Sequence, residues 1–392
     1  MRSIELFAGA GGLGIGVSLA GFHPCEVVER DSYCCDTIRA NRARGVRPVA
    51  DWPLTQGDVR DVDFVRHEGL IDLVTGGPPC QPFSIGGRHR AYDDARDMFP
   101  QAVRALRDAK PRAFIFENVK GLTRESFQNY FEYIRLQMIH PEVVARPDEA
   151  WEDHLARLEQ HETSGEIASL HYNVIIHVAN AADYGVPQRR ERVFFVGFRS
   201  DLGVRWRFPA PTHSAEALTW AQYRSDDYWE RHRTPSAGRV PSTRGMARAA
   251  RLRERPLLRP WRTVRDAIAD LPDPEVFRHH GDAVANHRFQ PGARAYPGHT
   301  GSPLDEPAKT LKAGVHGVPG GENMLLMADG AVRYFTVRES ARLQTFPDTF
   351  QFHGSWSETM RQLGNAVPVR LARIVAADVL RCLEAEGDVR SL

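Results

Sequence analysis

Cysteine is scarce in this sequence, and it forms none of the patterns that hold small proteins together. The 392 residues include five cysteines, without a C-x-x-C pair and without histidine and cysteine spacing of the zinc-finger type. The spacing therefore excludes a disulfide scaffold, predicts reduced thiols and predicts no metal site. A lone cysteine can still act as a nucleophile.

Long apolar runs are also missing. No stretch approaches the roughly 18 apolar residues of a membrane span, and residues 1–7 lack the pattern of a signal peptide. At 42% hydrophobic and 26% charged residues, the chain has enough apolar side chains for a sizeable core. We expect two or three globular domains in the cytoplasm or nucleoid, without a membrane partner.

Lysine is rare, so arginine carries almost all of the positive charge. The chain has 51 basic and 50 acidic residues, a formal net charge of +1. Between Arg205 and Arg265, however, fourteen arginines stand against five acids, which makes this segment strongly basic. Such a segment is typical either of a solvated, irregular stretch or of a surface that binds phosphate.

Short β-rich runs alternate with helical patterns over the first 200 residues, which predicts βαβ units and a mostly parallel sheet with helices on both faces. The predicted strands are 4–7, 24–29, 71–75, 113–116, 172–178 and 192–198, and helices are expected from about 12, 32 and 100. An acidic helical insert is expected at about 143–169.

The rest of the chain differs in composition. Residues 201–333 are rich in proline, glycine and arginine and predict a smaller, irregular domain with a helix near 263–270. Residues 334–392 are helical again, at 338–346 and 369–383, and we expect them to return to the first domain.

A glycine loop follows the first predicted strand. Gly9, Gly11 and Gly14 have the spacing of a dinucleotide-binding turn, and Glu29 follows at the end of the next strand, where it can accept hydrogen bonds from ribose hydroxyls. A nicotinamide dehydrogenase and an S-adenosylmethionine enzyme both fit this half of the chain. Asp58 is either an adenine ligand or, more simply, a cap residue.

The segment Gly76-Gly77-Pro78-Pro79-Cys80-Gln81-Pro82-Phe83-Ser84 carries the most specific signal. An apolar strand delivers Cys80 to a polar, proline-stiffened loop at the carboxyl end of the sheet, which favours a nucleophile over a structural thiol. Glu117 ends another buried strand at the same rim and can hold a proton there. Arg190 and Arg192 are expected to share one face and to grip an anion or a carbonyl oxygen.

These blocks resemble the DNA cytosine-5 methyltransferases. The family's ordered motifs appear as the glycine loop, the Pro-Pro-Cys-Gln segment, Glu117-Asn118-Val119, residues 188–193, residues 338–347 and residues 364–368. The family's variable target-recognition domain falls on the basic irregular segment. The insert near 143–169 departs from the pattern.

The resemblance implies that Cys80 attacks carbon 6 of a flipped-out cytosine, so that carbon 5 can take a methyl group from S-adenosyl-L-methionine. It implies that Glu117 holds a proton at ring nitrogen 3, that Arg192 binds the carbonyl oxygen of the base, and that Arg190 supports Cys80 or a phosphate. The cofactor residues that it implies are Phe7, Ala8, Gly9, Gly11, Leu13, Glu29, Asp58, Val59, Pro79, Phe99, Asn365 and Val367.

Double-stranded DNA is the partner that the resemblance implies, bound by a monomer in a bacterial cell and accompanied by a cognate restriction endonuclease or defence-system proteins. Residues 86–90 are expected to close over the flipped base. The expected DNA-binding residues are Gln81, Ser84, Arg88, Arg90, Arg239, Arg244, Lys312 and His316.

Three other functions compete with this one. A nicotinamide oxidoreductase leaves the Pro-Pro-Cys-Gln and Glu-Asn-Val motifs without a role. A transfer RNA cytosine-5 methyltransferase shares the scaffold, but its Cys-Phe-Thr signature is absent here. A pseudoenzyme is disfavoured because Cys80, Glu117 and Arg192 are all present.

Overall fold

The computed structural model describes residues 1–79, 97–165, 169–239, 242–276, 284–297, 300–313 and 323–390. Two compact units divide the chain. The first comprises Met1–Ala179, Glu191–Pro209 and Ala372–Leu392, and the second comprises Asn180–Arg190 and Ala210–Leu371. The chain returns to the first unit at Ala372 rather than at the expected residue 334, because residues 334–371 pack within the second unit.

The described elements follow the predicted alternation. Up to Arg199 they are β1 (Arg2–Leu6), α1 (Gly12–Ala20), β2 (His23–Glu29), α2 (Ser32–Ala43), β3 (Leu54–Gln56), β4 (Leu73–Gly76), α3 (Phe99–Ala109), β5 (Ala113–Val119), α4 (Gln128–Ile139), α5 (Trp151–Ser164), β6 (Tyr172–Asn180) and β7 (Glu191–Arg199).

The later elements are shorter until the last helix. They are β8 (His213–Ser214), α6 (Ala215–Tyr223), α7 (Asp227–Arg231), α8 (Thr243–Arg251), β9 (Arg259–Pro260), α9 (Val264–Ile268), β10 (Ser302–Pro303), β11 (Met324–Leu326), β12 (Val332–Tyr334), α10 (Val337–Leu343), α11 (Trp356–Asn365) and α12 (Val369–Arg390). Among the described residues, none of these helices has both the length and the apolar character needed to cross a membrane.

The first unit is built on a seven-stranded sheet with the order β3-β2-β1-β4-β5-β7-β6. The strands from β3 to β5 are parallel, and β7 pairs antiparallel with β5. This arrangement confirms the predicted mostly parallel sheet. Buried residues follow one another without alternation in β4 and β5, which is the pattern of strands covered on both faces.

The topology gathers several segments at one edge of this sheet. Parallel strands β1, β2, β4 and β5 all end there, and antiparallel β7 begins there, with Val119 paired to Arg192. In open α/β sheets this carboxyl edge is where ligands bind. The glycine loop, Glu29 and Glu117 therefore belong to one rim.

The second unit has smaller cores of its own. One of them packs α9 and α10 around Val264, Phe335 and Leu343, and another packs Tyr228 and Trp229 with α6. The helix predicted near 263–270 is α9, which begins at a capping box formed by Thr263 and Asp266.

Candidate active site

The glycine loop turns sharply between β1 and α1. Phe7, Gly9 and Gly11 all have positive φ angles, of 54°, 57° and 91°. A phenylalanine in the left-handed region costs backbone strain, which structures tend to retain at functional sites. A Cβ atom added to Gly9 would meet no atom within 4 Å, so the loop leaves open space at this position.

Trp52 explains the other two glycines of the motif. A Cβ atom on Gly11 or on Gly14 would lie 2.9 Å from the indole ring of Trp52, a distance that requires glycine. Trp52 is 1% exposed, and its Nε1 donates to Ser18 at 3.2 Å. These glycines thus serve the packing of α1, and the sequence motif alone did not single out Trp52.

Glu29 fixes the loop to the end of β2. Its Oε2 accepts the backbone N–H of Gly9 at 2.7 Å, and its Oε1 accepts that of Asp31 at 2.6 Å. The carboxylate lies at the end of the second strand, as predicted. Because each carboxylate oxygen can accept more than one hydrogen bond, Glu29 keeps acceptor capacity for ribose hydroxyls.

Asp58 acts as a cap in the structure, which was the simpler of its two interpretations. It accepts the backbone N–H of Arg60 at 3.0 Å and forms ion pairs with Arg60 and Arg30. The Arg60 guanidinium holds the pKa of Asp58 well below its usual range. Val59 is 3% exposed, so a ligand would meet its backbone. Contact of either residue with adenine stays a prediction.

Phe99 is a core residue at the start of α3. It is the first residue of α3, it is 0% exposed, and its ring packs edge-on against Phe195 with 6.0 Å between centroids. The ring belongs to the hydrophobic core of the first unit, and its packing near adenine stays a prediction. Ala8 and Leu13 are also buried, at 6% and 5% exposure, so they too would contact a ligand through their backbones.

Glu117 and Arg192 form an ion pair at the rim. Glu117 lies on β5 and Arg192 on β7, and Arg192 Nε is 2.8 Å from Glu117 Oε1. Their side chains are only 8% and 11% exposed. Burial lowers the pKa of Arg192, and the carboxylate of Glu117 acts in the opposite direction. The two residues that sequence analysis assigned to the base are therefore adjacent.

The loop that leads to Cys80 lies against this pair. A Cβ atom on Gly77 would be 3.3 Å from Glu117 Oε2, so glycine lets the loop approach the second carboxylate oxygen. Asn118 Nδ2 donates to the carbonyl oxygen of Pro78 at 2.9 Å, and Pro79 is exposed. Asn118 belongs to a motif that was recognised, but its role in fixing the loop appears only in the structure.

Several predicted residues lie outside the part of the chain that the structure describes, and their roles stay predictions. They are Cys80, Gln81, Ser84, Arg88, Arg90 and His316.

Arg190 is a buried residue of the second unit. It is 0% exposed and precedes β7, and its guanidinium donates to the carbonyl oxygens of Leu311 at 2.9 Å and Gly364 at 2.7 Å. The prediction that Arg190 shares one face with Arg192 is wrong, because Arg190 precedes β7 and donates to these carbonyl oxygens, but its support of Cys80 or of a phosphate stays a prediction. Its guanidinium satisfies buried backbone acceptors, so loss of the Arg190 side chain would leave these carbonyl groups without a hydrogen bond.

Asn365 and Val367 also belong to the second unit. Asn365 ends α11 and is exposed, while Val367 is 5% exposed. Their contact with a cofactor stays a prediction.

The basic segment divides into paired and exposed arginines. Arg239 contacts Asp226 at 3.0 Å and lies over the ring of Trp229, so much of its charge is engaged within the unit. Helix α8 instead exposes a row of arginines at helical spacing, which we call the α8 arginines: Arg244, Arg248 and Arg251. Lys312 is exposed as well.

Known proteins resemble this chain over most of its length. A family model described as C-5 cytosine-specific DNA methylase matches residues 1–140 and 157–381. The chain is 31% identical over 389 residues to the Type II methyltransferase M.PspPI of Psychrobacter sp., covering 97% of this chain and 79% of that protein. It is 29% identical to the Type II methyltransferase M.NgoMIV of Neisseria gonorrhoeae, covering 98% and 99% of the two chains.

Solved structures show the same fold. The S. pombe Dnmt2 methyltransferase superposes with a TM-score of 0.55 at 18% identity, covering 98% of this chain and 99% of that one. The family match extends over most of the sequence and includes Glu117 and Arg192. This chain belongs to the C-5 cytosine-specific DNA methylase family.

Proposed function

We propose that this protein methylates carbon 5 of a flipped-out cytosine in duplex DNA, as the modification enzyme of a restriction-modification or phage-defence system. The observation that carries the proposal is the buried pair of Glu117 and Arg192 beside Gly77, three residues before Cys80. The Type II methyltransferases among its relatives support the assignment to a modification system.

The family uses S-adenosylmethionine, and the residues of the first unit fit this cofactor. Gly9 offers the open space of a cradle, and Glu29 stands beside it with both carboxylate oxygens held in place. We assign the loop from Phe7 to Gly11 to the methionine part and Glu29 to the ribose. S-adenosylmethionine supplies the methyl group that carbon 5 receives.

Cys80 activates the base by addition. Its thiolate sulfur forms a bond to carbon 6, and the electron pair of the carbon 5 to carbon 6 double bond makes carbon 5 nucleophilic. After methylation, a water accepts the proton of carbon 5, and the bond between sulfur and carbon 6 breaks to restore the double bond and the thiolate.

Glu117 and Arg192 stabilise the charge that this addition creates. Oε1 of Glu117 is held by Arg192, so we assign the second oxygen, which faces Gly77, to the proton at ring nitrogen 3. Arg192 uses Nε and Nη1 in contacts with Glu117 and with the carbonyl oxygen of Glu191. We assign Nη2 to the carbonyl oxygen of the base, because charge-assisted donors are strongest where negative charge develops.

The target base must leave the helix for this chemistry. Carbon 6 is inaccessible in a stacked duplex, and flipping costs on the order of a few kcal/mol. DNA contacts along the basic segment of the second unit supply binding energy, and the α8 arginines are exposed for phosphate contacts.

The test measures methyl transfer by the full-length protein from radiolabelled S-adenosylmethionine to duplex DNA. Total transfer RNA serves as the alternative substrate under the same conditions. We expect label in duplex DNA, and bisulfite sequencing of DNA from expressing cells should then place it at one short motif. Label in transfer RNA alone would refute the DNA assignment, and label in neither would refute the reaction.

A further inference from the structure

Three potential metal ligands from separate parts of the sequence converge on one point of the first unit. His140 follows the last turn of α4, Glu162 lies on α5, and His171 directly precedes β6. One ligand atom from each of the three lies within 4.8 Å of the other two. Two imidazole nitrogens and one carboxylate oxygen form a ligand set suited to Zn²⁺ and related ions.

The buried member of the cluster has a nitrogen to spare. The side chain of His140 is 3% exposed, and its Nε2 lies 2.5 Å from Oε2 of Glu162. Its other nitrogen, Nδ1, is buried and has no hydrogen-bond partner among the described residues. A buried polar atom without a hydrogen bond destabilises the folded state. Turning the His140 ring over would exchange its two nitrogens and still leave one of them without a partner. One nitrogen of His140 thus contacts Glu162 and the other lacks a hydrogen bond, so hydrogen bonds leave this buried imidazole incompletely satisfied.

Other aromatic contacts keep the rings in place around this point. The ring of His171 lies 5.1 Å from that of His140, between centroids, and the ring of His161 packs edge-on against His140 at 4.8 Å. The imidazoles of His171 and His161 thus both pack against that of His140. A hydrogen bond between His140 and Glu162 accounts for one contact only and does not explain why His171 faces the same point.

Glu162 belongs to the insert that the sequence motifs left without a role, and His140 and His171 lie just before and just after that insert. The match to the family model stops at residue 140 and resumes at 157, so residues 141–156, which include the start of α5, lie outside it. Helix α5 brings Glu162 to His140, and Ser169 and Glu142 add a hydrogen bond of 2.8 Å nearby. An ion held by His140, Glu162 and His171 would fasten α5 to the end of α4 and the start of β6.

We propose that His140, Glu162 and His171 bind one Zn²⁺ ion, which fastens the insert helix α5 to the first unit. The site is structural in position, because its ligands come from the end of α4, from α5 and from the residue before β6 rather than from the carboxyl rim of the sheet.

The test is calorimetric titration of the metal-free full-length protein with ZnCl₂. We expect one saturable site whose affinity falls at least about 100-fold in His171→Gln and in Glu162→Gln, because loss even of a residue that only supports a ligand costs about 10- to 100-fold. His67→Gln is the matched control, since His67 also contacts a carboxylate, Glu26, at 2.8 Å. The control should bind Zn²⁺ as the wild type does.

A second measurement, of the melting temperature, uses only the wild-type protein and therefore does not depend on whether the variants fold. In the wild type, a Zn²⁺ concentration of 100 times Kd should raise the melting temperature by about 5 °C, and millimolar Mg²⁺ should not replace Zn²⁺, since Mg²⁺ prefers oxygen ligands. Absence of saturable binding to the wild type would overturn the proposal. So would unchanged affinity in His171→Gln, or a melting temperature that Zn²⁺ does not raise.

Discussion

Glu5 is a carboxyl group that the sheet buries completely, and it offers a sharp test of the energetics of the first unit. The residue lies on β1 and is 2% exposed. Thr75 Oγ1 donates a hydrogen bond to its Oε2, and the backbone N–H of Gly14 also bonds to its side chain. Burial, only partly offset by these hydrogen bonds, raises the pKa of Glu5 to about 8 from an ordinary 4.5. At neutral pH the buried group is therefore mainly protonated.

The raised pKa makes the stability of the unit depend on pH. Below the pKa that Glu5 has in the unfolded chain, the folded and unfolded states both carry the proton, and the contribution of Glu5 to stability is fully present. As the pH rises, the unfolded chain releases the proton first, so stability falls until the folded pKa is passed. Since one pKa unit corresponds to about 1.4 kcal/mol, Glu5 should lower the free energy of unfolding by about 3 to 4 kcal/mol between pH 5 and pH 8.

Glu5→Gln should abolish that dependence. An amide, like a protonated carboxyl, offers one acceptor oxygen and a donor, and it does not ionise. Urea unfolding followed by circular dichroism, at steps from pH 5 to pH 8, measures the free energy of unfolding of both proteins. We expect the stability of the variant relative to the wild type to rise by about 3 to 4 kcal/mol across this range.

A neighbouring carboxyl provides the control. Glu26 lies on β2 and is 3% exposed, and although burial acts to raise its pKa, Arg66 and His67 together hold that pKa below the usual range. Glu26→Gln should therefore lose stability at neutral pH, and the loss should shrink as the pH falls through the folded pKa. If wild type and Glu5→Gln kept a constant difference from pH 5 to pH 8, the reasoning about Glu5 would be refuted.

The remaining predictions concern catalysis and DNA binding. Cys80→Ala should abolish methyl transfer and retain S-adenosylmethionine binding, and methylation by this variant above a few per cent of the wild-type level would contradict the covalent step. DNA with 5-fluorocytosine at the target should trap only the enzyme that has Cys80, because fluorine cannot leave as a cation. Glu117→Gln should slow single-turnover methylation by roughly 10² to 10⁴ and leave base flipping intact, so a wild-type rate would reduce Glu117 to a structural role. Alanine at the α8 arginines should weaken binding to all DNA sequences and flatten its salt dependence, whereas changes in residues 312–323 should relax the methylated motif in bisulfite maps. If the methylated motif instead changed in the α8 variants and stayed the same in the variants of residues 312–323, the two roles would be reversed.

Local patterns in the sequence predicted much of the rim. Strand endings, the glycine spacing and the Pro-Pro-Cys-Gln motif placed Glu29, Glu117 and the Cys80 loop at the carboxyl edge, because parallel strands bring their ends together. The order of elements up to β7 follows from hydrophobic runs and turn residues, which depend on neighbours in the chain. Motifs of this kind also sufficed to indicate the family.

Long-range packing decided the rest. Arg190 and Arg192 are two residues apart, yet one is buried against backbone carbonyls and the other pairs with Glu117, and alternation along the chain contains no information on that difference.

The sequence by itself determined the parallel sheet, the glycine loop and the identity of the rim residues, since each depends on local spacing. Only the tertiary structure decided that Trp52 requires two of the glycines, that Glu5 is held away from water, and that His140, Glu162 and His171 meet. These contacts join residues that are far apart in the chain, and their partners are chosen by how the helices and strands pack rather than by the residues next to them.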